Sequence, residues 1–132
     1  MDLVGNTVTY SSYGVRLHNS TQNTVADNII SNNANFGIYV SLSDNGIFHG
    51  NEISGNTYAI GLFYSVNNTI YHNNILNNTE PIYAYDTSDN WDNGCEGNYW
   101  SDYDGSDLNG DGVGDTQIPW EDVDSYPLMT VH

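Results

Sequence analysis

The chain has 132 residues, a formal net charge of −16 and a single basic side chain, Arg16. That length suits one domain or a piece of one. That charge excludes a nucleic-acid binder, which needs cations to displace counterions from phosphates, and it disfavours anionic membranes and polyuronates.

The start, MDLVGNTVTY, lacks the basic and apolar regions of a signal peptide. No run of apolar residues is long enough to span a bilayer. Twenty asparagines make Asn the dominant polar residue, and 13% aromatic content argues for a folded core. From residue 23 the chain repeats itself: NTVADNIISNN from 23, NGIFHGNEISGN from 45, NTIYHNNILNN from 68, then Asn90. Asn28, Asn51 and Asn73 recur in this frame, each followed two residues later by Ile30, Ile53 or Ile75.

A second column is as regular. Val15 and Leu17, Ile38 and Val40, Ile60 and Leu62, Ile82 and Ala84 recur every 22 or 23 residues, two apart within each pair. Spacing of two is the period of a strand with one buried face. Extended back, this reading also turns Tyr13, Phe36 and Tyr58 inward. Several short strands in each such period predict an all-β, right-handed parallel β-helix of about four coils, stacked about 4.8 Å apart. Aligned asparagines would then hydrogen-bond along the stack. The chain starts part-way through a coil, which suggests a piece of a longer protein.

The repeats occupy residues 1–90. Residues 91–132 break the period and carry Trp91, Trp100 and Trp120. They predict an irregular C-terminal cap, with the tryptophans as its core. Cys95 has no partner for a disulfide and reads as a small buried residue. Sequons at Asn19, Asn67 and Asn77 hint at an extracellular setting.

Within the cap lies Asp107-Leu-Asn-Gly-Asp-Gly-Val-Gly-Asp115. Asp107, Asn109, Asp111 and Asp115 take loop positions one, three, five and nine, with glycine at six and the Val113 carbonyl at seven. That is calcium-loop spacing. A bound Ca²⁺ would turn repulsion among these aspartates into attraction. Position twelve is Ile118 rather than Glu, and the flanks do not read as helices. The loop therefore resembles the helix-free calcium loops of dockerin or thrombospondin type. Asp124, Glu121, Asp122 and Asp104 are candidates for the closing carboxylate, with Asp124 preferred.

On the strands, the outward positions between the inward pairs carry Tyr39, Phe63, Tyr83 and Tyr85. They predict an aromatic strip on one flat face, suited to stacking on sugar rings or to burial under the cap or a neighbouring surface domain. The partner expected is a neutral polysaccharide or another surface chain.

The Asn-rich coils, followed by WDNGCEGNYWSDYDGSDLNGDGVGD and VDSYPLM, resemble the C-terminal part of archaeal NosD-like parallel β-helix repeat proteins, grouped with carbohydrate-binding and sugar-hydrolase β-helices. The resemblance implies an exported, cell-surface or extracellular module. The family label mentions periplasmic copper, but the copper-type donors here are scattered: His18, His49, His72, His132, Met1, Met129 and Cys95. No lyase-type basic residue other than Arg16 is present, and no two carboxylates pair at neighbouring outward positions. The expected function is therefore a Ca²⁺-stabilised, non-catalytic contact module. The alternative is the terminal piece of a polysaccharide-cleaving enzyme whose site lies in upstream coils.

Overall fold

The computed structural model describes residues 1–132. The chain is all-β and winds as a parallel solenoid. The first coil contributes β1 (Asp2–Val4), β2 (Thr7–Thr9) and β3 (Tyr13–His18). The second contributes β4 (Thr24–Ala26), β5 (Ile29–Ser31) and β6 (Phe36–Ser41). The third gives β7 (Ile47–His49), β8 (Glu52–Ser54) and β9 (Tyr58–Phe63). The fourth gives β10 (Val66–Tyr71), β11 (Asn74–Leu76) and β12 (Glu80–Tyr85), before β13 (Ser88–Asn90) and β14 (Tyr99–Trp100). Every named strand pair is parallel, and they form three sheets in the orders β1-β4-β7-β10-β13, β14-β11-β8-β5-β2 and β12-β9-β6-β3.

Turn chemistry explains the Asn and Gly content. The chain turns at equivalent positions in every coil, in the left-handed region that Gly and Asn tolerate best. One such column is Tyr10, Asn32, Gly55 and Asn77, with φ between 52 and 65°. Between the corners, Val15, Leu17, Ile38, Val40, Ile60 and Leu62 fill the core as the repeat predicts, none above 6% exposed. The pairing of Ile38 with Ile60 and Val40 with Leu62 shows the expected register.

Three placements differ from the sequence expectation. Tyr13, Phe36 and Tyr58 do not point inward. They stack on one another outside, with centroids 5.8 Å apart for Tyr13–Phe36 and 4.9 Å for Phe36–Tyr58. The next residues, Gly14, Gly37 and Ala59, hold the inward slot instead. A Cβ on Gly14 would come within 2.6 Å of Ile30 Cγ2, and one on Gly37 within 2.8 Å of Ile53 Cγ2, so larger residues have no room there. Ala84 keeps its place opposite Leu62 but is exposed rather than buried, because the cap leaves a cleft beside the last coil between Ala84, Trp91 and Val123. Cys95 is exposed as well, on a turn where its Sγ lies 3.4 Å from Asn93 Oδ1.

The cap is joined to the solenoid rather than leaning on it. Tyr99 N donates to Asn73 O and Ser101 N to Ile75 O, both at 2.9 Å, so β14 continues the sheet of β11. Trp91 and Trp100 are buried at 4% and 1% and close the core, with centroids 5.8 Å apart. Trp120 is only partly buried against the core and meets Tyr103 edge-on at 5.1 Å.

Candidate functional site

Asparagine ladders run along the stack. Asn28 donates through its backbone N and Nδ2 to Asn51 Oδ1, both at 3.0 Å. Asn51 repeats this toward Asn73, and Asn73 toward Asn98. The last rung is Asp124: its Oδ2 accepts from Asn98 N and Trp100 Nε1, each at 2.8 Å, and its Oδ1 from Tyr126 N at 2.9 Å. Burial pushes the Asp124 carboxyl above its ordinary range, while the bonds from Trp100 and Asn98 pull it back. A second ladder links Asn33, Asn56 and Asn78. A third links Asn68 to Asp89 but is broken at Gly46, leaving the buried Nδ2 of Asn23 without a partner.

Asp124 is therefore enclosed, fully buried, with both oxygens engaged away from the acidic loop. Asp107, Asn109, Asp111, Val113 and Asp115 lie on one loop at the surface of the cap. Asp107 takes hydrogen bonds from Gly110 N at 2.7 Å and Gly112 N at 2.8 Å. Asp115 Oδ2 accepts from Leu108 N at 2.7 Å, and Asp111 Oδ1 from Val113 N at 2.9 Å. These N–H bonds, that from Gly112 foremost, hold the Asp107 carboxyl below its ordinary range. The loop is anchored at both ends: Asp115 N donates to Ser106 O, and Gly114 N to Pro127 O. No three His, Cys, Asp or Glu side chains converge as a metal-binding group.

The aromatic strip is real, and larger than the sequence suggested. Tyr39 lies 5.1 Å from Phe63, which lies 5.2 Å from Tyr83, across the neighbouring strands β6, β9 and β12. Phe36 sits over Gly61, where a Cβ would approach its ring to 2.4 Å, and meets Tyr39 edge-on at 5.2 Å. Tyr13, Phe36 and Tyr58 thus join the strip. The alternation of strand positions hid them, since a glycine or alanine shifts the phase just after each. Tyr85 stands apart, edge-on to Tyr64 at 5.5 Å. The cap closes the end of the solenoid and leaves this face open, with Tyr83 at 46% exposed.

Histidines far apart in sequence also meet. His72 and His132 stack at 3.7 Å, and His72 Nε2 lies 3.4 Å from Glu96 Oε1, too poorly directed for a hydrogen bond. Tyr71 and His49 complete the surroundings. Burial first, then His132, holds the His72 imidazole below its usual pKa, against the pull of Glu96. The unfolded chain then takes up the proton first as pH falls. This contribution to stability is full above about pH 6.5 and declines below it. We expect His72→Gln to flatten that part of the thermal stability profile between pH 7 and 5, and an unchanged profile would refute the assignment.

Parallel coils laced by amide ladders, capped at one end and bearing an open aromatic face, define a parallel β-helix module. The chain belongs to the NosD family: residues 2–105 match the family described as periplasmic copper-binding protein (NosD). No curated protein and no solved structure matches it. No helix is long and apolar enough to cross a membrane. The one pair of histidines that meets does not fit copper. An imidazole binds a metal along the in-plane lone pair of its nitrogen. The stacked His72 and His132 rings, 14° from parallel, hold those directions side by side rather than convergent.

Proposed function

We propose that this chain is a non-catalytic surface or periplasmic β-helix module, stabilised by Ca²⁺ at its cap loop, that contacts a neutral polysaccharide through its aromatic strip. The observation that carries the reading is the strip itself. Six rings from three successive columns lie in continuous contact on a face that the cap does not cover. Rings on stacked strands present a row of apolar edges and faces at regular spacing, and a sugar chain can follow it without cationic groups. Tyr83→Ala should weaken retention in a polysaccharide affinity gel while leaving the melting temperature nearly unchanged, and wild-type retention should be insensitive to salt. A large stability loss in Tyr83→Ala would mean that the ring serves packing instead.

For the loop, Asp107, Asn109, Asp111 and Asp115 would supply side-chain oxygens and Val113 its carbonyl, with the remaining positions taken by Asp104, Glu121, Asp122 or water. The backbone N–H groups that hold the Asp107 carboxyl below its ordinary range favour the anionic form a cation needs. A hundredfold excess of Ca²⁺ over its Kd should stabilise the protein by about 2.7 kcal/mol and raise Tm by roughly 5–10 °C. Asp111→Ala should remove most of that gain. A Tm indifferent to both calcium and chelator would rule the site out.

A further inference from the structure

Arg16 is the only Lys or Arg in a chain with 17 acidic residues. It nevertheless forms no ion pair, since the single ion-pair contact in the protein joins His72 and Glu96. Its guanidinium sits instead over the rings of Tyr13 and Tyr39, 5.5 and 5.6 Å from their centroids. Ring faces hold the cation in place while satisfying none of its N–H donors.

Beside it runs a groove lined by Arg16, His18, Tyr39, Ser41, Phe63 and Tyr64. His18 Nδ1 and Ser41 Oγ, 2.7 Å apart, make its polar side. At the groove's rim the chain turns through Leu42 and Tyr64 with φ of 49° and 50°, at the corner where the first coil uses Asn19.

We propose that this groove is a subsite for one carboxylate-bearing sugar unit at the end of an otherwise neutral glycan. The proposal rests on the carbohydrate reading above and gives it a direction. Arg16, Tyr39, Gly61 and Tyr83 are paired neighbours along one sheet, so Arg16 marks one end of the strip and Tyr83 the other. A single planar guanidinium matches a single planar carboxylate through two parallel N–H···O bonds. A second acid would need a second permanent cation, and the chain has no other Lys or Arg. Neutral units would continue over Phe63 toward Tyr83.

The test uses immobilised oligosaccharides of glucose, galactose and mannose, each in three forms: neutral, carrying one glucuronic acid at the non-reducing end, and the methyl ester of that acid. The wild-type chain should bind at least one acid-capped form roughly tenfold more tightly than its neutral parent, about one charge-assisted hydrogen bond's worth. The methyl ester should fall back to the neutral level without any change in the protein. Arg16→Gln should bind all three forms alike, and Arg16→Lys should keep part of the preference. Equal binding of acid, ester and neutral forms by the wild type overturns the subsite but leaves the strip. An acid preference that survives Arg16→Gln overturns the role of Arg16. Absence of binding to every form overturns both the strip and the subsite.

Discussion

Asp124→Ala is expected to destabilise the protein by roughly 3–5 kcal/mol, among the largest effects of any single substitution. The side chain is fully buried, and its removal strands the N–H groups of Asn98, Trp100 and Tyr126. Each buried donor left unpaired costs about 1–3 kcal/mol, less whatever water entering the void recovers. Asp124→Asn should be milder. Its amide oxygen can keep the bonds from Asn98 and Trp100, but its NH₂ then faces Tyr126 N–H. The substitution also removes a charge that burial disfavours. Because the folded carboxyl lies above its ordinary pKa, its proton linkage favours the fold below about pH 4 and loses that contribution as pH rises through the folded value. Urea unfolding at pH 7 should therefore rank wild type above Asp124→Asn above Asp124→Ala. A loss below about 1 kcal/mol for alanine would show that the cap is held by its tryptophans alone.

Asn51→Ala should cost roughly 3–4 kcal/mol. Its Oδ1 receives two bonds from Asn28 at 3.0 Å, and its Nδ2 donates to Val25 O and Asn73 Oδ1 at 2.9 Å. In the variant, Asn73 Oδ1 keeps the Asn51 backbone N–H, so its loss is partial. Asn28 and Val25 have no substitute. Leucine at this position would fill the space and restore none of the bonds, so Asn51→Leu should be no better. If either variant unfolded at wild-type denaturant concentration, the ladder would be dispensable and the aliphatic core sufficient.

Much of this was written in the sequence where the period held. Asn28, Asn51 and Asn73 share one environment, so they announce one column. Asn98 belongs to the same column but follows Asn73 by 25 residues, as the bond between them spans, and the lengthened turn hid it. The inward Val15 and Leu17 columns were legible because alternation is strict between corners. The outward turn of Tyr13, Phe36 and Tyr58 was not, since it depends on how much space Ile30 and Ile53 leave for Gly14 and Gly37. The acidic loop can be recognised from spacing alone. Asp124, close to it in sequence, goes to the ladder because Trp100 and Asn98 offer it donors, and no local pattern records a partner 24 or 26 residues away. The meeting of His72 with His132, and the isolation of Arg16 from every acid, likewise exist only once the coils are stacked.

The Asp124 rung has a consequence for how such molecules coexist at high concentration. Along its ladder each amide oxygen accepts from the rung before it and each NH₂ gives one of its hydrogens to the oxygen of the rung after it. A stack whose last asparagine lay open at the end would therefore offer N–H groups to the carbonyls of any other stack that met it end-on. That is how an ordered solenoid becomes a fibre. A carboxylate accepts and passes nothing on. Here the column ends inside the protein: Asp124 is fully buried under the cap and both its oxygens are taken by Asn98, Trp100 and Tyr126, so no rung at this end of the ladder reaches the surface to template another stack.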